Sequence, residues 1–306
     1  MTGTGPLGRK PAGTFNFEPP PPGRALYLEP TPKRIRAVVA DEVIADSRAA
    51  LMLHESGHQP VYYFPAEDVR AEFLEPSDRH THCPKKGDAS YYTIRVGDRV
   101  VDAGAWYYPE PLDGAPAIKD LIAFYWNRVD QWYEEGEEVF VHPRDPYHRV
   151  DLVATDRLVR VSLDGALLAE SRNALALFET NLPPRWYLPR EDVVASLEDS
   201  DTITRCPYKG QAAYQSVRLP SGELVSDLVW YYPDPIADAS RIEGLLCFFN
   251  EKVDLELDGE IAGATRVAVE SRRQVRGREP RSGADARLTN SPRDLQLFDV
   301  SSDIWP

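Results

Sequence analysis

The octapeptide H-T-H-C-P-K-K-G, His80 to Gly87, sets two histidines, a cysteine and two lysines where they could bind a metal or carry a nucleophile. A structural zinc site takes four Cys or His ligands. Cys83 has no Cys-x-x-Cys partner, and the chain holds only two other cysteines, Cys206 and Cys247. That ligand count predicts no metal, and nothing else points to a cofactor. The segment C-P-x-K-G is more informative. Proline restricts the backbone and glycine opens conformations closed to other residues, so it reads as a fixed turn. A lysine three residues after a cysteine favours the thiolate where their side chains converge, giving a nucleophile or an oxidisable sensor. The competing reading is a small buried thiol beside a solvated lysine.

The same turn occurs twice. C-P-K-K-G-D-A-S-Y from Cys83 returns as C-P-Y-K-G-Q-A-A-Y from Cys206. R-A-V-V-A-D-E-V-I-A-D-S-R from Arg36 returns from Arg160, P-V-Y-Y-F-P-A-E-D-V from Pro60 returns from Pro184, and A-W-Y-Y-P-E-P from Ala105 returns from Val229. A period this long is a duplicated domain, not a solenoid repeat. The copies are expected at residues 33–136 and 156–262, with 137–155 as a linker between them. Residues 1–32, rich in Gly and Pro, read as a flexible leader. Residues 263–306 read as a mobile tail, with an end (L-Q-L-F-D-V-S-S-D-I-W-P) apolar enough to dock.

The elements that must position these residues read as short strands. R-V-S-L-D-G-A-L-L-A-E predicts a hairpin turning at Asp-Gly, with Asp41-Glu42 expected at the first copy's turn. P-A-E-D-V and P-R-E-D-V each predict one helical turn after a proline, with Asp68 and Asp192 as caps. Ile118 to Glu134 has helical character, but V-D-L-E-L-D in the second copy alternates with period two, so both read as strand, tight turn, strand. The fold class is mainly β: two tandem small domains with short helical turns.

Comparing the copies sorts the candidates. His82 aligns with Arg205, and all six histidines precede residue 150, so histidine chemistry cannot be common to both. If His54 or His82 served acid–base chemistry, only the first domain would be active. Cys83, Lys86, Cys206 and Lys209 persist as candidate catalytic groups, with the cysteines as nucleophiles and the lysines as electrostatic partners. Candidate ligand-binding residues are Arg48, Tyr91, Trp106 and Tyr108 in the first copy, and Arg172, Tyr214, Trp230 and Tyr232 in the second. The aromatics would form a stacking wall, although alternation on a strand commits some of them to the core. Arg48 and Arg172 offer forks for a carboxylate or phosphate, and pairing with Glu55 and Glu179 is the expected internal alternative. Cys247 aligns with Ala123 and reads as core.

With 306 residues and 42% hydrophobic content the chain can bury one large core or two ordinary ones. A formal charge of −14 opposes a nucleic-acid partner, since phosphate affinity comes from clustered Lys and Arg. No apolar run approaches a membrane span of about 20 residues, and with three scattered cysteines a reducing cytoplasm is expected.

The motifs A-D-S-R, Y-F-P-A-E-D-V, C-P-K-K-G-x-A-x-Y, W-Y-Y-P-E-P and F-Y-W-N-R-V-D, in that order and in both halves, resemble the DUF427 family in its bacterial tandem form. The resemblance implies a β-tent-like fold, related to B-type methionine sulfoxide reductases and the cereblon ligand-binding domain. Those relatives carry a Cys₄ zinc site absent from this sequence. They also place ligands in an aromatic-lined pocket, which points to Trp106 and Trp230. A nucleotidyltransferase-like label attached to the family finds no glycine-rich phosphate loop with metal-binding carboxylates here. The reading is then a small-molecule-binding protein or enzyme with one pocket per domain. A non-catalytic interaction scaffold, built on the internal pseudo-dimer, is the alternative.

Overall fold

The computed structural model describes residues 13–16, 18 and 24–262, so the tail expected over 263–306 and most of the leader lie outside the described residues. The chain divides into two compact units between His148 and Arg149.

In the first unit the strands are β1 (Leu26–Pro30), β2 (Ile35–Val39), β3 (Glu42–Ser47), β4 (Leu51–Glu55), β5 (Val61–Pro65), β6 (Leu74–Cys83), β7 (Gly87–Val96), β8 (Arg99–Tyr107), β9 (Leu121–Phe124), β10 (Gln131–Glu134) and β11 (Glu137–Glu138). They form a seven-stranded sheet, β1-β4-β5-β9-β8-β7-β6, and a four-stranded sheet, β11-β10-β2-β3.

The second unit repeats this with β12 (Val150–Ala154), β13 (Val159–Leu163), β14 (Ala166–Ser171), β15 (Leu175–Glu179), β16 (Arg185–Leu188), β17 (Ser196–Cys206), β18 (Gly210–Arg218), β19 (Leu224–Pro235), β20 (Leu246–Phe248), β21 (Asp254–Leu257) and β22 (Glu260–Ile261). Its sheets run β12-β15-β16-β20-β19-β18-β17 and β14-β13-β21-β22. The chain is thus mainly β with two sheet-rich halves, and the helical content among the described residues is short 3₁₀ turns such as Ala66–Asp68 and Arg190–Asp192.

Period-two alternation gives the seven-stranded sheet two working faces. On β5, Tyr62 and Phe64 face the four-stranded sheet and join Ile35, Val39, Ile44 and Trp132 in one core. Tyr63 faces the other way, into a second cluster with Cys83, Tyr91, Trp106 and Tyr108. The second unit has the same two clusters, with Tyr187, Trp230 and Tyr232 in the second.

The large sheet must also curl. Glu55 ends β4 and Lys86 sits in the β6–β7 turn, with β5, β9 and β8 lying between β4 and β7. A flat sheet would set β4 and β7 about 19 Å apart at the usual strand spacing. Their side chains nevertheless meet, so the sheet bends around the second cluster.

Three expectations shift. The sheets begin earlier than the copies' similarity indicated: β1 lies within the expected leader and β12 within the expected linker. L-Y-L-E-P and V-D-L-V-A share almost no sequence, because an edge strand is constrained by one neighbour only. The first hairpin turns at Ala40-Asp41, one residue before Asp41-Glu42, with φ of 47° and 64°. Those angles mirror Asp164 (51°) and Gly165 (82°), so a left-handed pair is kept without glycine. Finally, Asp68 and Asp192 cap nothing: the N-caps are Pro65 and Pro189, without side-chain cap bonds. Each aspartate instead accepts a hydrogen bond from a buried serine, Ser47 or Ser171, at 2.5 Å.

Candidate functional site

The C-P-x-K-G turn links β6 to β7. Cys83 pairs with Gly87 across the ladder, and Lys86 N–H donates to the Cys83 carbonyl at 3.3 Å. Gly87 has φ +103°, and a Cβ there would lie 3.2 Å from the Glu110 carbonyl oxygen. That approach lets Leu112 N–H reach the Lys86 carbonyl at 3.0 Å. The second unit repeats these features: Gly210 has φ +104°, its Cβ would meet Asp234 O at 3.3 Å, and Ile236 N–H donates to Lys209 O at 3.1 Å. The glycine is therefore required twice over, by conformation and by contact. It pins the turn against the end of the W-Y-Y-P-x-P segment.

Pinned in this way, the lysine points inward. Lys86 is 3% exposed and donates to Glu55 Oε2 at 2.8 Å. Lys85, nearer the surface, donates to Glu55 Oε1 at 2.6 Å. Burial opposes ionisation of Glu55, but the two lysines outweigh it and hold its carboxyl below the usual glutamate range. In the second unit buried Lys209 pairs with Glu179. The pairing expected between these glutamates and Arg48 or Arg172 does not form, because the lysines occupy the carboxylates. Arg48 lies with Arg34, Asp46, Ala49 and Asp68 along an open depression, and Arg172 donates to the Asp156 carbonyl at 3.4 Å.

The aromatic candidates lie together in the second cluster, packed as core. Trp106 Nε1–H donates to Tyr63 Oη at 3.3 Å, and Trp230 Nε1–H to Tyr187 Oη at 3.1 Å. Both pairs are edge-on, with centroids 6.3 Å apart. The hydroxyls of Tyr91 and Tyr214 share hydrogen bonds with Thr81 and Thr204 at 2.8 and 2.9 Å. Tyr108 is 0% exposed and its hydroxyl has no hydrogen-bond partner, while Lys86 Nζ sits 5.7 Å from its ring centroid. Burial drives the phenols of Tyr63 and Tyr108 well above their ordinary range, so both stay protonated donors. Cys83 is buried in this cluster, Cys206 is half-buried against its counterpart, and Cys247 is wholly buried.

Glu55 and Glu179 were expected only as partners of Arg48 and Arg172, and Tyr63 and Tyr125, with their counterparts Tyr187 and Phe249, which join the same cluster, were not among the sequence candidates. Tyr63 and Tyr187 occupy the same place in Y-Y-F-P and W-Y-L-P, so the comparison of copies held that signal. The histidines split by position. His82 is exposed and bonded to Asp88 at 2.6 Å, and His54 is buried with Nε2 2.8 Å from Glu29. Among the described residues no group of three or more His, Cys, Asp or Glu is placed to hold a metal ion, and no helix is long and apolar enough to cross a membrane.

No curated protein matches the chain. Residues 27–135 and 151–259 each match the family model described as domain of unknown function (DUF427), so the two units are two copies of that domain and the chain belongs to the DUF427 family.

Proposed function

We propose that this protein binds a small organic molecule, with one site per unit at the C-P-x-K-G turn, where the lysine–glutamate pair meets the aromatic cluster. The observation that carries this is made in the first unit: the Tyr108 hydroxyl is fully buried and without a hydrogen-bond partner, on a ring that Lys86 Nζ approaches to 5.7 Å. A buried hydroxyl left unsatisfied costs about 1–3 kcal/mol, which a ligand oxygen or nitrogen would recover. A second consideration supports it. A buried ion pair gives little net stability over well-packed apolar side chains, yet both units keep one at the same position. Access is across the turn, whose rim carries the half-exposed Cys206 in the second unit and Lys85 in the first. The test is native mass spectrometry of gently purified protein against its denatured mass, followed by titration of what is released while tryptophan emission is recorded. A non-covalent organic mass that rebinds and perturbs Trp106 or Trp230 is the expected result. A bare chain, with no response to a metabolite library, would remove the reading.

A further inference from the structure

Granted that site, the two units differ in charge at it. In the first unit one carboxylate answers two ammonium groups: Lys85 and Lys86 both donate to Glu55, one to each oxygen. His58 Nε2 lies a further 3.8 Å from Glu55 Oε1 and adds charge when protonated. In the second unit Tyr208 stands in place of Lys85 and Leu182 in place of His58, so Lys209 pairs with Glu179 without a second lysine beside it in the turn. The extra cation there, Arg185 over the Trp230 ring, has its own carboxylate in Glu251 at 2.8 Å.

An ammonium offers three donors, and each of these lysines spends one on Glu55. Lys85 is 21% exposed and Lys86 lies behind it, so the uncompensated charge runs from the rim inward. In a chain of net charge −14, such a spot at a low-dielectric wall is where small anions would concentrate. We infer that the first unit's site takes a small molecule bearing a carboxylate or phosphate group, its oxyanion held by Lys85 and Lys86 beside Glu55, and that the second unit's site lacks this preference. The inference rests on the small-molecule reading and sharpens it.

Acetate and inorganic phosphate, titrated separately into the full chain and followed by amide and lysine side-chain NMR, separate the two anion chemistries. Saturable shifts at Lys85, Lys86 and Gly87, without counterparts at Tyr208, Lys209 and Gly210, are expected for at least one probe. Lys85→Gln, at a partly exposed side chain, should weaken that binding at least ten-fold while leaving the unfolding midpoint near wild type. Tyr208→Lys should create a second site. Equal shifts in both units, or an affinity that Lys85→Gln leaves unchanged, would overturn the charge assignment. If an uncharged organic molecule also proves to bind at the turn, the site itself stands and only its anion preference falls. If neither anion nor any organic molecule perturbs either turn, both fall together.

Discussion

Lys86 and Glu55 are 31 residues apart in the chain and 2.8 Å apart in space, and Lys209 and Glu179 repeat the contact in the second unit. Each pair bridges the β6–β7 type of turn and the end of a strand on the far side of a curled sheet. The contact fixes the curl as much as it fixes the side chains. It also places an ammonium group against the aromatic cluster, 5.7 Å from the Tyr108 ring centroid.

Removing one partner should cost far more than removing both. Glu55→Gln leaves Lys86 buried without its counter-charge and is expected to destabilise by about 3–5 kcal/mol. Glu55→Leu combined with Lys86→Met should recover most of that loss, since Lys85 can turn to water. Urea denaturation at pH 7 checks the cycle. A single-variant loss below about 1 kcal/mol would mean the pair is solvated and adds nothing to the site.

Gly87→Ala and Gly210→Ala should each be destabilising, by about 1–3 kcal/mol for the forced backbone conformation. More loss is expected from the approach to Glu110 O and Asp234 O, at 3.2 and 3.3 Å. Gly97→Ala is the control: its φ is +53°, in the left-handed well, and its Cβ would meet nothing within 4 Å. Thermal melts that rank Gly97→Ala as severe as the other two would show that contact is not what the turn requires.

Thiol reactivity should follow exposure. Cys206 is half-buried, Cys83 is 6% exposed, and Cys247 is fully buried with burial pushing its thiol up to about 12. Iodoacetamide on the native chain, mapped by peptide mass, should label Cys206 first, Cys83 slowly and Cys247 only on unfolding. Labelling of Cys83 ahead of Cys206 would indicate an activated thiol in the first unit and revive a nucleophilic role for it.

The duplication, the β class and the C-P-x-K-G turn were legible in sequence because each is local or repeated. The Lys–Glu pair was not. Both residues recur in the two copies, but nothing in the spacing says that β4 and the β6–β7 turn meet, since three strands separate them in the sheet. Arg48, seven positions before Glu55, was the natural partner on paper. The β3–β4 corner instead carries it away beside Asp46 and Asp68. The aromatic set was legible as a set, while its packing as core depended on the curl. Asp68 misled for a related reason: a 3₁₀ turn after proline left it at the end of the turn, facing Ser47 from another strand.

A last prediction concerns pH. His142 is buried, and burial lowers its pKa below the ordinary 6.5, outweighing both its hydrogen bond to the Pro143 carbonyl at 2.7 Å and the charge of Asp145. The unfolded chain takes up a proton near pH 6.5, where the folded first unit resists it. Between the lowered folded value and 6.5 the unfolded state therefore binds more protons, and stability falls as pH drops through that window. Above it the contribution is fully present. The slope is at most about 1.4 kcal/mol per pH unit for one group. His142→Gln should flatten the loss between pH 7.5 and 5.5 measured by urea denaturation. Glu55, held below the usual carboxylate range, acts in the same direction at a lower pH. Its contribution is present above the unfolded glutamate value and is lost as pH falls through the folded one. The two windows are separable, so a wild-type slope surviving in His142→Gln would place the sensitivity elsewhere.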